Sequence, residues 1–490
     1  MKKYLILILA AAGTLSSCKK WLDVRPQSQV EQEVLFSKED GFKDALNGLY
    51  SRAVKENLYG RELTGGVPEV LSQNYAIGFN DGWNFRQTML FNFRNATFMD
   101  HRDDMWEGLY NVIANSNLIL TYIDKKKELF TPTSYAIIKG EALAMRAYCH
   151  FDALRIFAPS YVTSPGANGV PYVTVFSKAV PKMNTVRGVI DSVILDLEAA
   201  RETLAVHDPI LAGTYRTGYT FAIDSSTEVQ GNDMFVQNRR HHLNYYAVSA
   251  MLARAYLYKG DKVNALKYAK EVIESGKFQW TKKADFVNSD DEKIDRIAYK
   301  EIIFGLYAPN MKDRLRELFR DGLSSSVYTS PAECRTVYEA AGIGGDDNRF
   351  KQWFSEQPTT SGSIMQLEKY KRDGDANLHP LVIPNIRLSE MYYIAAECTF
   401  DTDAETAWGY FNTVRFNRGI GVELNDPSKQ TFMTELVKEA RKEFFGEGQI
   451  WFMYKRLNMN YPGQSGAIIT ASPSVFVLPF PDDEIAYGNR

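Results

Sequence analysis

Tyr75, Phe79, Asp81, Trp83 and Phe85 occupy alternate positions of a polar stretch that also carries Gly78, Asn80, Gly82, Asn84 and Arg86. Flat rings beside polar side chains suit a sugar: its C–H faces lie on aromatic rings, and its rim hydroxyls pair with Asp, Asn and Arg. A Trp83 face next to Asp81, Asn84 and Arg86 supplies both halves of that chemistry. Alternation fits a strand with its aromatic side in the core equally well. Tyr328, in Ser324-Ser325-Ser326-Val327-Tyr328, is a candidate second wall from a later loop. The candidate ligand-binding set is therefore Tyr75, Asp81, Trp83, Asn84, Arg86 and Tyr328. Trp106, Trp408 and Trp451 have helical spacing and are expected in the core.

Catalytic and metal chemistry find less purchase. The chain has only six histidines, and His241 and His242 are adjacent. On a helix they would point about 100° apart, unlike i, i+4 metal ligands. Gly463-Gln464-Ser465-Gly466 lacks the final spacing of a nucleophile elbow, because position 467 is alanine. Asp373-x-Asp375-x-Asn377 opens like a calcium loop, but Leu378 replaces the required glycine and Pro384 stands where the bidentate glutamate belongs. Glu141, Arg146, Glu390, Glu397, Arg415 and Arg418 fall on apolar helical patterns, and internal ion pairs and helix-end hydrogen bonds are their expected work. No catalytic residue, metal or cofactor is expected.

Helices must position these residues. Helical periods run over Phe36 to Tyr50 after a capping-box-like Ser37-x-x-Asp40, along Trp106 to Leu120, and over Gly140 to Phe157, which stops at Pro159. Asp191 to Ala205, Tyr245 to Lys259, Val263 to Ile273, Arg387 to Phe400, Ala404 to Asn417 and Thr434 to Phe445 follow. A strand is expected at Val170 to Phe176. The gap between Ala253 and Ala265 recurs between Ala395 and Ala407, a spacing like that of tetratricopeptide helix pairs. The expected fold is mainly α, with tetratricopeptide-like helical repeats, long irregular loops and few short strands. Tyr59 to Arg102, Ser160 to Lys182, Asp208 to Arg240, Trp280 to Ala298 and Ala308 to Gln366 are the long loops, and loops of that length are usually functional.

The 490 residues carry 57 basic and 60 acidic side chains, a net of −3, and 13% are aromatic. That balance gives no basic face for nucleic acid. Four cysteines exclude a disulfide scaffold. Lys2 and Lys3 precede an apolar run, Tyr4 to Ala12, too short to span a bilayer and suited to a secretory leader. Leu15-Ser16-Ser17-Cys18 resembles a bacterial lipobox, which implies a signal peptide over 1–17 and lipidation of Cys18. Acyl chains would then anchor the protein outside the bilayer.

Past that cysteine, Leu22-Asp23-x-x-Pro26 resembles the start of the SusD/RagB family. The match continues in order through Asp44-Ala45-Leu46-Asn47-Gly48-Leu49-Tyr50, Trp106-x-x-Leu109-Tyr110-x-x-Ile113-x-x-Asn117 and Gly140-Glu141-Ala142-x-x-x-Arg146-Ala147-Tyr148. Ala250-x-x-Ala253-Arg254-x-Tyr256-Leu257, Arg387-Leu388-x-Glu390-Met391-Tyr392-x-x-Ala395-Ala396-Glu397, Asn412-x-Val414-Arg415-x-x-Arg418-Gly419 and Leu478-Pro479-x-Pro481-x-x-Glu484-Ile485 complete it. One departure stands out: where the family carries an Arg and an Asp after Glu447-Gly448, this chain has Ile450 and Met453. Joint replacement of an i, i+3 ion pair leaves no charge stranded.

The resemblance implies one helical domain over 18–490, with an N-terminal part to about 240 and a C-terminal part from about 241 packed as one body. It implies a non-catalytic, surface-exposed outer-membrane lipoprotein. Such a protein binds oligosaccharides, or in some members peptides, and passes them to a SusC-like TonB-dependent transporter. A lipid-anchored glycoside hydrolase is the least favoured alternative. Family members place glycan contacts in the first long loop, which adds to the reading of Trp83.

Overall fold

Polar caps and buried alanines shape the helices of this protein. A computed structural model describes residues 27–220, 225–288, 290–320, 327–360, 362–372 and 377–488. The leader, Cys18, Ser324–Ser326, Asp373 and Asp375 lie outside the described residues. The main helices are α1 (Glu39–Ala53), α2 (Ala96–Ile123), α3 (Pro132–Phe157), α4 (Val186–Leu204), α5 (Tyr245–Lys259), α6 (Lys262–Glu274), α7 (Leu388–Thr399), α8 (Ala404–Asn417), α9 (Lys429–Glu443) and α10 (Ile450–Leu457). Asn244 caps α5 by accepting from the Ala247 N–H, and Gly260 ends it in the left-handed region at φ 84°. Asp261, Asp403 and Ser428 cap α6, α8 and α9 in the same way.

Consecutive helices pack against one another from α2 to α6, α6 then packs on α7, and α7 on α8. Ala253, Ala265, Ala395 and Ala407 are all fully buried, so the recurring small residues lie inside the stack. Helix α3 is buried on nearly every side from Ala136 to Phe157. Ile450 is buried and Met453 packs half-buried against the same core, as an apolar pair requires. Trp408 and Trp451 are core residues, and Trp106 packs among Tyr110, Phe157 and Phe480.

Buried charge ties the later elements together. Glu443 at the end of α9 accepts from Arg349 at 2.8 Å and from Arg418 at 2.9 Å, and it also pairs with Arg387. Arg418 reaches on to Glu301 at 2.6 Å. Burial pushes the Glu443 carboxyl up, but the Arg387 and Arg418 guanidiniums hold it well below the usual range. The expected internal pairs form elsewhere too: Glu141–Arg239, Arg146–Asp196, Arg254–Glu390 and Arg456–Glu397. Arg415, near the end of α8, makes the helix-end kind of hydrogen bond, donating to Asn412 and to the Val422 carbonyl.

Three local expectations are corrected. Ser37 does not cap α1; its hydroxyl donates to the Val34 carbonyl in the turn closing the helix Gln27–Leu35, and Lys38 stands at the cap. The strand at 170–176 is only Asn168–Pro171, because proline offers no N–H and the Val173 N–H donates to His150 on α3. The stretch 308–366 is not one loop. It holds short helices at Lys312–Phe319, Pro331–Val337 and Asn348–Trp353, then a hairpin pairing Phe354–Thr359 with Gly362–Leu367.

Four strands matter for the site. β1 (Ala76–Ile77) pairs antiparallel with β3 (Val327–Tyr328), and β2 (Ile302–Tyr307) pairs with β4 (Val382–Arg387).

Candidate functional site

The first long loop leaves β1 through two successive turns rather than as a strand. The Asp81 N–H donates to Gly78 O and the Asn84 N–H to Asp81 O, with Asp81 and Asn84 at φ 44° and 59°. Asp and Asn tolerate that region better than other side-chain-bearing residues. Both Asp81 carboxylate oxygens then accept backbone N–H groups, from Phe85 at 2.9 Å and Arg86 at 3.1 Å. Arg86 closes the loop by donating to the carbonyls of Gly78 and Phe79.

The alternate aromatics therefore scatter to different environments. Tyr75 is a correction to the ligand set: it is buried, with its ring edge-on to Phe319 and Phe445. Phe85 is buried and stacks on His101 at 4.7 Å. Phe79, by contrast, is 92% exposed. Trp83 is half-buried, with the Arg61 guanidinium 5.1 Å from its ring centroid, and Asn84 is exposed. Tyr328 is half-buried and sits opposite Ala76, at the base of the loop. The strand leading into the loop thus pairs with the segment carrying Tyr328, and no ring contact joins Trp83 to Tyr328 among the described residues.

Sequence reasoning missed the group that fixes Trp83. His101 lies 3.1 Å from the Trp83 carbonyl through Nε2 and 3.1 Å from Glu62 through Nδ1. Glu62 is fully buried and also takes Arg61 at 2.7 Å. Burial presses the His101 imidazole towards neutrality, but the Glu62 carboxylate overcomes it and the pKa rises. No spacing rule links residues 62, 83 and 101; only the return of α2 along the loop brings them together. Every hydrogen bond of Asp81 and Arg86 named above is internal to the loop, so their direct effect is to hold its shape. Of the residues from 79 to 86, Phe79 and Asn84 are exposed and Trp83 is half-buried.

The protein is largely helical, built of stacked pairs, and its first long loop is held by its own hydrogen bonds. A family profile described as "Starch-binding associating with outer membrane" matches residues 20–208, and one described as "SusD family" matches residues 365–473. The chain belongs to the SusD/RagB family. It is similar to SusD-like protein P38 of Formosa agariphila, 23% identical over 92% of this chain and 90% of that one. Its fold is that of a SusD superfamily protein from Bacteroides thetaiotaomicron, with a TM-score of 0.73 at 23% identity over 92% of this chain and 98% of the other. A surface glycan-binding protein A from the same organism, solved with laminarihexaose, superimposes with a TM-score of 0.65 at 16% identity, over 93% and 99% of the two chains.

Proposed function

We propose that this protein is a non-catalytic carbohydrate receptor that holds oligosaccharides on the first-loop shelf and passes them to a SusC-like TonB-dependent outer-membrane transporter. The observation that carries this reading is Phe79, almost wholly exposed on the same loop as Trp83 and Asn84, a loop whose shape Asp81, Arg86 and His101 fix. A large ring held open to solvent costs hydration free energy unless something covers it, and a rigid loop loses little entropy on binding. Family membership and the glycan-bound relative of the same fold favour sugar as the cover. No described helix is long and apolar enough to cross a membrane. The proposed attachment to the outer membrane is through lipid on Cys18, in the lipobox-like Leu15-Ser16-Ser17-Cys18, with the protein at the cell surface.

The test is calorimetry of the purified full chain against a panel of polysaccharides and oligosaccharides, with product chromatography on the same mixtures. We expect binding without products, weakened about tenfold or more in Trp83→Ala, as loss of one aromatic contact predicts. Unchanged binding in that variant would refute the shelf, and released product would refute the non-catalytic reading.

A further inference from the structure

A second concave surface lies away from the shelf and shares none of its residues. One wall is a single face of α1, where Asn47, Tyr50, Ser51 and Val54 follow helical spacing. The other wall is the turn around Gln237–His242 and the end of β2, from Tyr307 to Met311. The enclosed volume is about 640 Å³, within the range of small-molecule sites.

The chemistry of this cleft is specific. Tyr307 is 50% exposed and lies nearly parallel to the buried His241, with ring centroids 5.7 Å apart and planes 7° apart. His241 is itself held by the Tyr299 hydroxyl at 3.0 Å, and burial keeps its imidazole neutral. The Tyr307 ring therefore rests on a fixed, uncharged base. Around it, Asn47, Ser51, Lys55 and Asn310 border the cleft, and their side chains make no hydrogen bond or ion pair among the described residues. Two oxygens within its wall, Thr220 Oγ1 and Asn238 Oδ1, also lack a partner. Amides and a hydroxyl both donate and accept, as sugar hydroxyls do. The lining has no carboxylate among the described residues, and Glu141 below it is already held by Arg239, Tyr50 and His242.

We propose that this cleft is a second carbohydrate subsite, taking an uncharged hexose unit with its C–H face on Tyr307 and its hydroxyls on Asn47, Ser51 and Asn310. The proposal rests on the reading of the protein as a carbohydrate receptor and adds a site to it. Two subsites on one rigid body engage one long chain at high effective concentration, which raises affinity for polymers over short oligosaccharides.

The experiment is calorimetry of the full chain with hexasaccharides of glucose, mannose, galactose and xylose, on wild type and on Trp83→Ala. In the Trp83→Ala background, Tyr307→Ala, Tyr307→Phe and Asn310→Ala are added, with thermal melts to show that each folds. The expected result is sugar binding that survives Trp83→Ala, falls about tenfold with Tyr307→Ala, stays near its starting value with Tyr307→Phe and weakens with Asn310→Ala. Loss of all binding in Trp83→Ala, or residual binding indifferent to Tyr307, would overturn the second subsite and leave the shelf standing. Binding that follows Tyr307 alone would keep the subsite and remove the shelf. No binding of any panel sugar by wild type would overturn both.

Discussion

His101 joins the buried Glu62 carboxylate to the backbone of Trp83, so its charge state bears directly on the shelf. Its folded pKa is raised above the unfolded value of about 6.5. A histidine shifted in that direction contributes fully below the unfolded pKa, and the contribution is lost as pH rises through the folded one. Thermal unfolding of wild type is therefore expected to lose stability relative to His101→Gln as pH climbs above about 6.5. A difference between the two melting curves that stays constant from slightly acid to alkaline pH would contradict the assignment. Asp81 and Arg86 carry a related lesson. Their residue types suited a sugar, yet backbone N–H and C=O groups nearer at hand engage them first.

Among elements, the Glu443 cluster does the most to hold α9 to β4 and to the segment that follows α8. Three guanidiniums meet one carboxylate there, and all four side chains are buried. Removing one partner of a buried charge group strands the others, at about 3–5 kcal/mol. Glu443→Gln should lower the unfolding free energy from denaturant titration by about that amount, with little change in helix content. A loss under about 1 kcal/mol would mean that the surrounding Glu301, Glu439 and Glu447 already satisfy the arginines. The helix pairs themselves were legible in the sequence: α5 and α8 have the bounds their periods predict. Where the cap expected at Ser37 and the strand expected after Pro171 gave way, a neighbouring element had claimed the same polar group.

For the whole molecule, buried histidines set the response to acid. Burial drives His150 down to about 3, and His241 and His379 also shift down. Each stays neutral in the folded protein while the unfolded chain takes up protons below about pH 6.5, so folding stability falls as pH drops. Carboxylates held low, including Glu141 at about 2, add to the loss as pH passes below about 4.5. His101 opposes this trend, but it is one residue against three. Melting temperature should therefore decline steadily from pH 7 to pH 4; a flat or rising profile would mean that these histidines are hydrated in solution.

Local periodicity and residue type settled the class of the fold, the main helices, the buried alanine spacing and the internal fate of Glu141, Arg146, Glu390, Glu397 and Arg418. These are short-range properties, since helix period, caps and the apolar environment of a charge are written within a few turns of chain. The placement of the aromatics was not set by their alternation in sequence. Tyr75, Phe79, Trp83 and Phe85 alternate identically in sequence, yet two are core, one is half-covered by Arg61 and one stands in solvent. The two local turns at Asp81 and Asn84 make that division together with the return of α2 with His101 and the pairing of β1 with β3, and the last two join residues far apart in the chain. The cleft at Tyr307 has the same origin: α1, the 237–242 turn and the end of β2 form it only when the helix stack brings them together.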